Sequence, residues 1–239
     1  MKRCACLTPI FVRYLKHVMK RIQFLLVAAI LILINCLTAV AQESWQLRKD
    51  KDGIKVFSGE VAGSNIRAIK VIASYEATPA QIVSIVMDVN TAKQWVSHLK
   101  SSVLLKQVSA NELYYYSEVN LPWPATNRDF VAHLTTWHDK ETNQTIVDGP
   151  AVSGFVPEKK GIIRISNSSG RWVITPTTPG EVKVEYTMHV DPAGSLPAWL
   201  INMFSADAPF EIFKNLRLQL QKPALVKSDR LVTDNVAER

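Results

Sequence analysis

The stretch that decides the fold reads Leu121-Pro122-Trp123-Pro124-Ala125-Thr126-Asn127-Arg128-Asp129-Phe130-Val131. Pro122 and Pro124 stand two positions apart, and proline lacks the N–H that a strand ladder needs. Regular strand pairing is therefore excluded there, and the stretch is predicted to be a sharp corner between two strands. Arg128 and Asp129 follow the corner at once and open a run rich in β-forming residues.

The charge of the chain is unevenly distributed. The 239 residues suffice for one domain with a substantial core, and they carry a net charge of +7. The first 41 residues hold six basic side chains and no acidic one, which leaves 22 basic against 21 acidic side chains in the remainder. Nucleic-acid binding requires a concentrated positive surface, so we expect no nucleic-acid partner.

The first 41 residues have the pattern of a signal peptide. Met19-Lys20-Arg21 precedes the apolar run 22–34, and Ala39-Val40-Ala41 offers a small–x–small cleavage site. We expect cleavage after Ala41 and export to the periplasm or the outside of the cell, with Met19 as an alternative start of translation. The other interpretation is an uncleaved membrane anchor over residues 22–41.

All three cysteines, Cys4, Cys6 and Cys36, precede the predicted cleavage site. The mature protein would then contain no disulfide and no thiolate metal site. We expect neither a metal nor a cofactor.

The remainder is predicted to be one domain over residues 42–223, followed by a polar tail over 224–239. A short helix is expected at Trp45–Arg48, and a second helix begins at Thr78-Pro79 and continues loosely to Trp95. Alternating apolar residues predict strands, separated by turn-rich clusters such as Asn167-Ser168-Ser169-Gly170. The predicted strands are 54–58, 67–73, 102–108, 112–120, 129–138, 143–152, 162–174 and 181–190. Short connections between consecutive strands favour an antiparallel meander.

The C-terminal region is predicted to be helical over 197–221, with an interruption at Pro209. Helical periodicity places four apolar side chains, Phe210, Phe213, Leu216 and Leu220, on one face. A helix of this kind can cover one side of an antiparallel sheet, leaving either a solid core or an internal cavity. The sequence therefore predicts an α+β fold.

Three segments in order resemble motifs of START domains, the StAR-related lipid-transfer family of the helix-grip, Bet v 1-like superfamily. The corner with Arg128-Asp129-Phe130-Val131 resembles the family's "P…RDF(V)" element. Lys160-Gly161-Ile162-Ile163-Arg164, followed by Gly170-Arg171-Trp172, resembles its "KGxIR…G" hairpin. Asp191-Pro192-Ala193-Gly194-Ser195-Leu196-Pro197 resembles its "DxxGxxP" approach to the last helix.

The resemblance implies an exported bacterial member with a curved antiparallel sheet wrapped around a long C-terminal helix. It further implies one lipid or similar hydrophobic molecule in a tunnel between sheet and helix, with transient membrane contact; we expect a monomer. The candidate ligand contacts are Trp123, Trp199, Met203, Phe204, Phe210, Phe213, Leu216, Arg217 and Leu220. One departure is visible, because Leu134 stands where some family members carry a cavity arginine.

Several candidate residues admit two interpretations. Arg128 and Asp129 either contact a lipid headgroup or form a structural pair at the corner, and we favour the structural pair. Arg164 alternates with Ile163 and Ile165, so we favour a solvent-facing or ion-paired role. Trp123 either walls the cavity or plugs the corner.

Arg217 falls inside the apolar arc of the last helix. An unpaired buried guanidinium is too costly to persist. Arg217 must therefore extend to the surface, pair with a polar group, or anchor an acidic or phosphate-bearing ligand.

No HExxH, GxSxG, Walker A or GxGxxG motif is present. His133 and His138 lie on one predicted strand and point to opposite faces, so they cannot share a metal there. We therefore expect a binding protein. The alternative is a helix-grip enzyme of the polyketide cyclase or aromatase type, acting on a polycyclic or acyl substrate.

Overall fold

A computed structural model describes residues 14, 17–24, 45–196, 200–201 and 203–222. The chain divides into two units, Met1–Glu43 and Ser44–Arg239. In the first unit residues 17–24 are helical, while the predicted cleavage site and the three cysteines lie outside the described residues. No helix within the described ranges is long and apolar enough to cross a membrane.

The second unit opens with three antiparallel strands, β1 (Gln46–Lys51), β2 (Ile54–Val61) and β3 (Ser64–Glu76). The short helix predicted at Trp45–Arg48 is wrong. Asp52 and Gly53 both have positive φ, 53° and 73°, and form a tight turn that folds β1 back onto β2. Ladder pairing with β2 therefore decides the conformation of this segment.

Helix α1 (Pro79–Met87) begins at the predicted position. The Thr78 hydroxyl accepts from the Gln81 N–H, and the Gln81 side chain accepts from the Thr78 N–H, which forms a reciprocal capping box. Ile82, Ile85 and Val86 are buried. The predicted loose continuation toward Trp95 is a 3-10 turn at Ala92–Gln94.

Seven more strands follow. They are β4 (Leu99–Ser109), β5 (Glu112–Val119), β6 (Arg128–Asp139), β7 (Gln144–Asp148), β8 (Ile163–Arg164), β9 (Ser168–Thr178) and β10 (Glu181–Val190). The order across the sheet is β1-β2-β3-β10-β9-β7-β6-β5-β4, so the last strand pairs with β3 in the middle of the sheet. The expected antiparallel meander is therefore correct only where consecutive strands are neighbours in the sheet, as in β1-β2-β3 and β4-β5-β6-β7.

Two details of the region 162–178 differ from expectation. The predicted strand 162–174 is two strands, and β8 pairs with β6 in parallel. The cluster predicted as a turn at Asn167–Gly170 lies largely in β9, which pairs with β10 through Ser168 and Gly170. The "KGxIR…G" segment is therefore no hairpin, because its two halves pair with different strands.

The C-terminal helical region is described at residues 200–201 and 203–220, and its geometry changes along the chain. A π-helical turn at Met203–Asp207 leads into helix α2 (Ala208–Leu220), in which Pro209 occupies the first turn. Proline is tolerated there because the first N–H groups of a helix have no partner within it. The expected interruption is thus a change of helical geometry just before Pro209.

Helix α2 packs against one side of the sheet, which we call the inner face and define by Tyr75, Trp172 and Tyr186. The opposite side is the outer face. The hydrophobic core lies between the inner face and helices α1 and α2.

Candidate functional site

Phe213 of α2 lies at the centre of a group of aromatic side chains on the inner face. Its ring stacks on Trp172 with 5.5 Å between centroids, and Tyr186 stacks on the same indole at 4.3 Å. Trp95 meets Trp172 edge-on at 6.3 Å. Tyr75 lies 6.4 Å from Phe213, and we call these five residues together the inner aromatic cluster.

The sheet register explains the cluster. Trp172 of β9 is directly opposite Tyr186 of β10, and Val147 of β7 flanks Trp172 on its other side. Side chains directly opposite each other in an antiparallel pair lie on the same face. Phe213 then fills the space above them from the middle of α2.

A second inner-face tyrosine lies further along the sheet. Tyr115 of β5 is half-buried and meets Phe130 of β6 edge-to-face at 5.9 Å. Burial raises the pKa of Tyr115 above its usual range and that of Tyr186 to about 12. Both hydroxyls therefore remain protonated at neutral pH and can donate a hydrogen bond.

Helix α2 is tied to the sheet along its length. Lys49 pairs with Asp207 at 2.8 Å just before the helix. The Tyr75 hydroxyl donates to the Phe213 carbonyl at 2.9 Å near its middle. These contacts fix the helix over β1, β2 and β3, where Phe210, Phe213 and Leu216 are buried.

Arg217 contributes the tie near the C-terminal end of α2. Its guanidinium donates to the Asp52 carbonyl at 3.0 Å and lies 5.6 Å from the Tyr75 ring centroid. Both contacts belong to the protein itself. They favour the interpretation that Arg217 extends out of the apolar arc to a polar group.

Arg128 is 3% exposed and crosslinks two connections of the chain. It donates to the Pro192 and Ala193 carbonyls at 3.2 and 3.1 Å, and also to the Thr126 carbonyl. Burial lowers the pKa of the guanidinium. Arg128 therefore holds the corner after β5 against the segment that leads to α2.

Asp129 does not pair with Arg128, because strand alternation turns the two side chains to opposite faces. It accepts instead from Arg164 of β8 at 2.6 and 3.1 Å, and the two side chains are 1% and 8% exposed. This bidentate bond raises the pKa of Arg164. Both "RDF" charges are thus structural, and Arg164 is ion-paired, which was one of its two expected roles.

Trp123 neither walls an interior space nor plugs the corner in this structure. Its side chain is 91% exposed, and Pro122 and Pro124 are exposed beside it. The Trp123–Pro124 peptide bond is cis. The corner is confirmed as a connection between strands, but the structure places its indole outside the core.

The remaining candidates fall into three groups. Phe210, Phe213 and Leu216 are buried in the core, and Leu220 is partly buried against it. Phe204, in the π-helical turn, is half-buried and meets His98 edge-on at 5.4 Å. The side chain of Met203 and residues Trp199 and Pro197 lie outside the described residues.

The other motif residues form turns. The Asp191 carboxylate accepts from the Ala193 N–H at 3.0 Å, and Gly194 next to it has φ of 68°. Gly161 has φ of 80° just before β8. Positive φ favours glycine at these two places, which explains the residue type without a ligand role.

The outer face carries Glu112 and Tyr114 of β5 and Asp129 and His133 of β6. His133 pairs with Glu112 at 2.8 Å and stacks on Tyr114 at 4.3 Å. Among the described residues, no group of three or more His, Cys, Asp or Glu side chains is arranged to hold a metal ion.

Sequence reasoning missed Trp95, Tyr115, Trp172 and Tyr186 as site residues. Alternation could have separated Tyr115 from Tyr114 and Tyr116, but it could not say which face meets α2. That choice depends on the pairing of β10 with β3, which joins distant parts of the chain.

An antiparallel sheet packed on a C-terminal helix defines the helix-grip class of α+β proteins. Within that class, this chain belongs to the START domain family, whose model matches residues 34–225.

Several known proteins are similar to this chain in sequence or structure. An uncharacterized protein of Pseudomonas aeruginosa is 36% identical over 75% of this chain and 88% of its own length. The phosphatidylcholine transfer protein of Mus musculus is 28% identical over 69% of this chain and 78% of its own length. The structure of the STAR-related lipid transfer protein from Xanthomonas axonopodis is 35% identical, with a TM-score of 0.68, over 74% of this chain and 99% of that one.

Proposed function

We propose that this chain binds a lipid between the inner face and helix α2 and carries it between membranes. The observation that carries the proposal is the family match over residues 34–225, together with relatives named as lipid transfer proteins.

The inner aromatic cluster supplies the chemistry that such binding needs. Trp172, Phe213 and Trp95 are large apolar side chains buried in the core, and an acyl chain that packs among them would gain about 25 cal/mol per Å² of apolar surface removed from water. Tyr115, Tyr186 and Met188 pack against the core but remain partly exposed. We infer that a lipid chain reaches the core along these three side chains.

We infer that the chain acts by binding and not by catalysis. The histidine–carboxylate pair, His133 with Glu112, lies on the outer face of the sheet. A substrate between the sheet and α2 would be separated from that pair by the sheet itself.

Membrane contact is proposed to involve the corner after β5. Trp123 is amphipathic and almost fully exposed, and indole rings favour the interface between water and lipid. Arg128 links this corner to the segment before α2 through the Pro192 and Ala193 carbonyls. Insertion of Trp123 into a bilayer would thereby act on the connection that leads to the helix.

We also propose export with cleavage after Ala41, which the basic, apolar and small-residue pattern supports. Mass spectrometry of the N-terminus from a cell fraction tests it, with Gln42 as the expected first residue. An intact leader in the membrane fraction would favour the anchor. The monomeric state stays a prediction, and light scattering measures it.

Lipid transfer is tested with the full chain and two vesicle populations. Donor vesicles carry fluorescent diacyl lipids with a quencher, and acceptor vesicles carry neither. The proposal predicts a fluorescence increase that scales with protein concentration and slows in Trp123→Ala. No increase above the rate without protein, for any of the lipid headgroups, would contradict the proposed transfer.

A further inference from the structure

The inner face differs from the outer face in its polar groups. On β5, β6, β9 and β10, strand alternation turns ionisable side chains such as Glu118, Asp129, Arg171 and Glu185 away from the core. From Leu113 to Ser117 and in the facing parts of the other three strands, every inner-face residue is apolar, glycine, serine or tyrosine. This part of the inner face has no charged group to offer.

The two arginines weighed as ligand contacts, Arg128 and Arg217, are both engaged by the protein itself. The Arg128 guanidinium donates to three backbone carbonyls at the end of β6. Arg217 of α2 donates to the Asp52 carbonyl in the turn between β1 and β2. Leu134 of β6, on the same face, is a buried core residue and offers no charge.

The inner face does offer neutral hydrogen-bond donors. The Trp95 indole N–H is buried and has no hydrogen-bond partner among the described residues. Tyr115 and Tyr186 are half-buried on the same face, and their protonated hydroxyls can donate hydrogen bonds. The buried Tyr75 hydroxyl, by contrast, is satisfied by the Phe213 carbonyl. A buried donor without a partner, such as the Trp95 N–H, costs about 1–3 kcal/mol, so a partner is expected there.

Small residues neighbour the two tyrosines on adjacent strands. A Cβ added to Gly170 would lie 2.8 Å from the Tyr186 Oη, so a larger residue there would displace the hydroxyl from its present position. Ala132 lies directly opposite Tyr115 on β6. Charge repulsion from Tyr186 also raises the pKa of Tyr115, as a smaller cause than burial.

We infer that the lipid is uncharged, that Tyr115 and Tyr186 donate hydrogen bonds to its ester or amide carbonyls, and that the Trp95 N–H is a further donor to such a group. This inference rests on the proposed lipid binding and specifies its ligand class. A phosphate in the same place would lose its hydration without a cation to replace it. A lipid carbonyl, in contrast, needs hydrogen-bond donors but no cation.

The experiment compares lipids that differ in the carbonyl or in charge. The full chain is incubated with vesicles that contain equal amounts of dioleoylglycerol, its dioleyl ether analogue, dioleoyl phosphatidic acid and dioleoyl phosphatidylcholine. Native mass spectrometry of the separated protein reads which lipid is bound. One hydrogen bond of about 1 kcal/mol corresponds to about fivefold, so we expect the ester over the ether by at least that ratio.

Three variants locate the donors. Tyr115→Phe and Tyr186→Phe are each expected to lower the ester-to-ether ratio several-fold while total occupancy persists. Tyr114→Phe, on the outer face, is the matched control and should keep the wild-type ratio.

The outcomes separate the two proposals. An ester-to-ether ratio near one in the wild type, or preferred uptake of phosphatidic acid or phosphatidylcholine, overturns the neutral-carbonyl assignment and leaves lipid binding intact. An unchanged ratio in both Tyr→Phe variants also overturns it. Uptake of none of the four lipids overturns the assignment and the proposed function together. The ester-to-ether ratio of the wild-type protein is measured without any variant, so that outcome does not depend on whether a variant folds.

Discussion

Asp129 and Arg164, which belong to two of the family motifs, form a buried ion pair. Their bidentate pair is nearly inaccessible to solvent and joins β6 to β8. Arg164 also donates to the Val156 and Pro157 carbonyls, so the loop before β8 depends on the same guanidinium. The "RDF" and "KGxIR" motifs therefore meet in one structural interaction.

Removal of one partner of this pair is expected to be strongly destabilising. Asp129→Asn leaves Arg164 buried without its counter-charge, and such a loss costs about 3–5 kcal/mol. Urea unfolding followed by circular dichroism measures it. The matched control is Asp148→Asn, which breaks the more exposed pair with Arg171 and should cost at most about 1 kcal/mol. Equal losses in the two variants would contradict the structural role.

The lowered pKa of Glu118 predicts that the free energy of unfolding depends on pH. The hydrogen bond from Lys100, at 2.7 Å, is the main cause that lowers the pKa of this carboxyl below its ordinary 4.5. A folded-state pKa below the unfolded one stabilises the fold above pH 4.5, and that contribution disappears as the pH falls through the folded pKa. Glu118→Gln should therefore cost about 1 kcal/mol at pH 7.

The measurement is urea unfolding of wild type and Glu118→Gln between pH 7 and pH 3. The difference in free energy of unfolding should shrink toward acidic pH. Glu60→Gln is the control, because its ion pair with Arg67 is largely exposed and should contribute little at any pH. A difference that grows on acidification would have the wrong sign for this account.

At the scale of elements, helix α2 is held by the β1–β2 hairpin as well as by the core. Lys49 of β1 contacts Asp207 and also lies 4.3 Å from the Phe210 ring centroid. Arg217 contacts the turn at Asp52. The hairpin thus fixes both ends of α2, whereas the π-helical turn before it departs from regular helical geometry.

Arg217→Leu separates a structural role from a ligand role. We expect a loss of about 1 kcal/mol in the free energy of unfolding, because one hydrogen bond to a backbone carbonyl disappears. Lipid occupancy measured by native mass spectrometry should not change. Lys214→Leu, on the exposed side of the same helix, is the control. Loss of lipid with unchanged stability would restore the interpretation of Arg217 as a ligand anchor.

At the scale of the whole molecule, the sequence predicts local structure from short-range patterns, but it does not predict which distant strands pair. The capping box at Thr78, the strand at Arg128 and the apolar face of Phe210, Phe213 and Leu216 all follow from short-range patterns. The segment at Trp45 was misread as a helix, because its conformation depends on the ladder to β2. Tyr115 and Tyr186 were missed for the related reason that their common face is set by strand order.

The central claim is that the folded domain holds a lipid between its inner face and helix α2. The most direct measurement is native mass spectrometry of the full chain purified without detergent, followed by extraction and identification of any bound molecule. The account predicts one lipid per protein molecule, released on unfolding. Protein that carries no lipid after purification and takes up none from vesicles would contradict it.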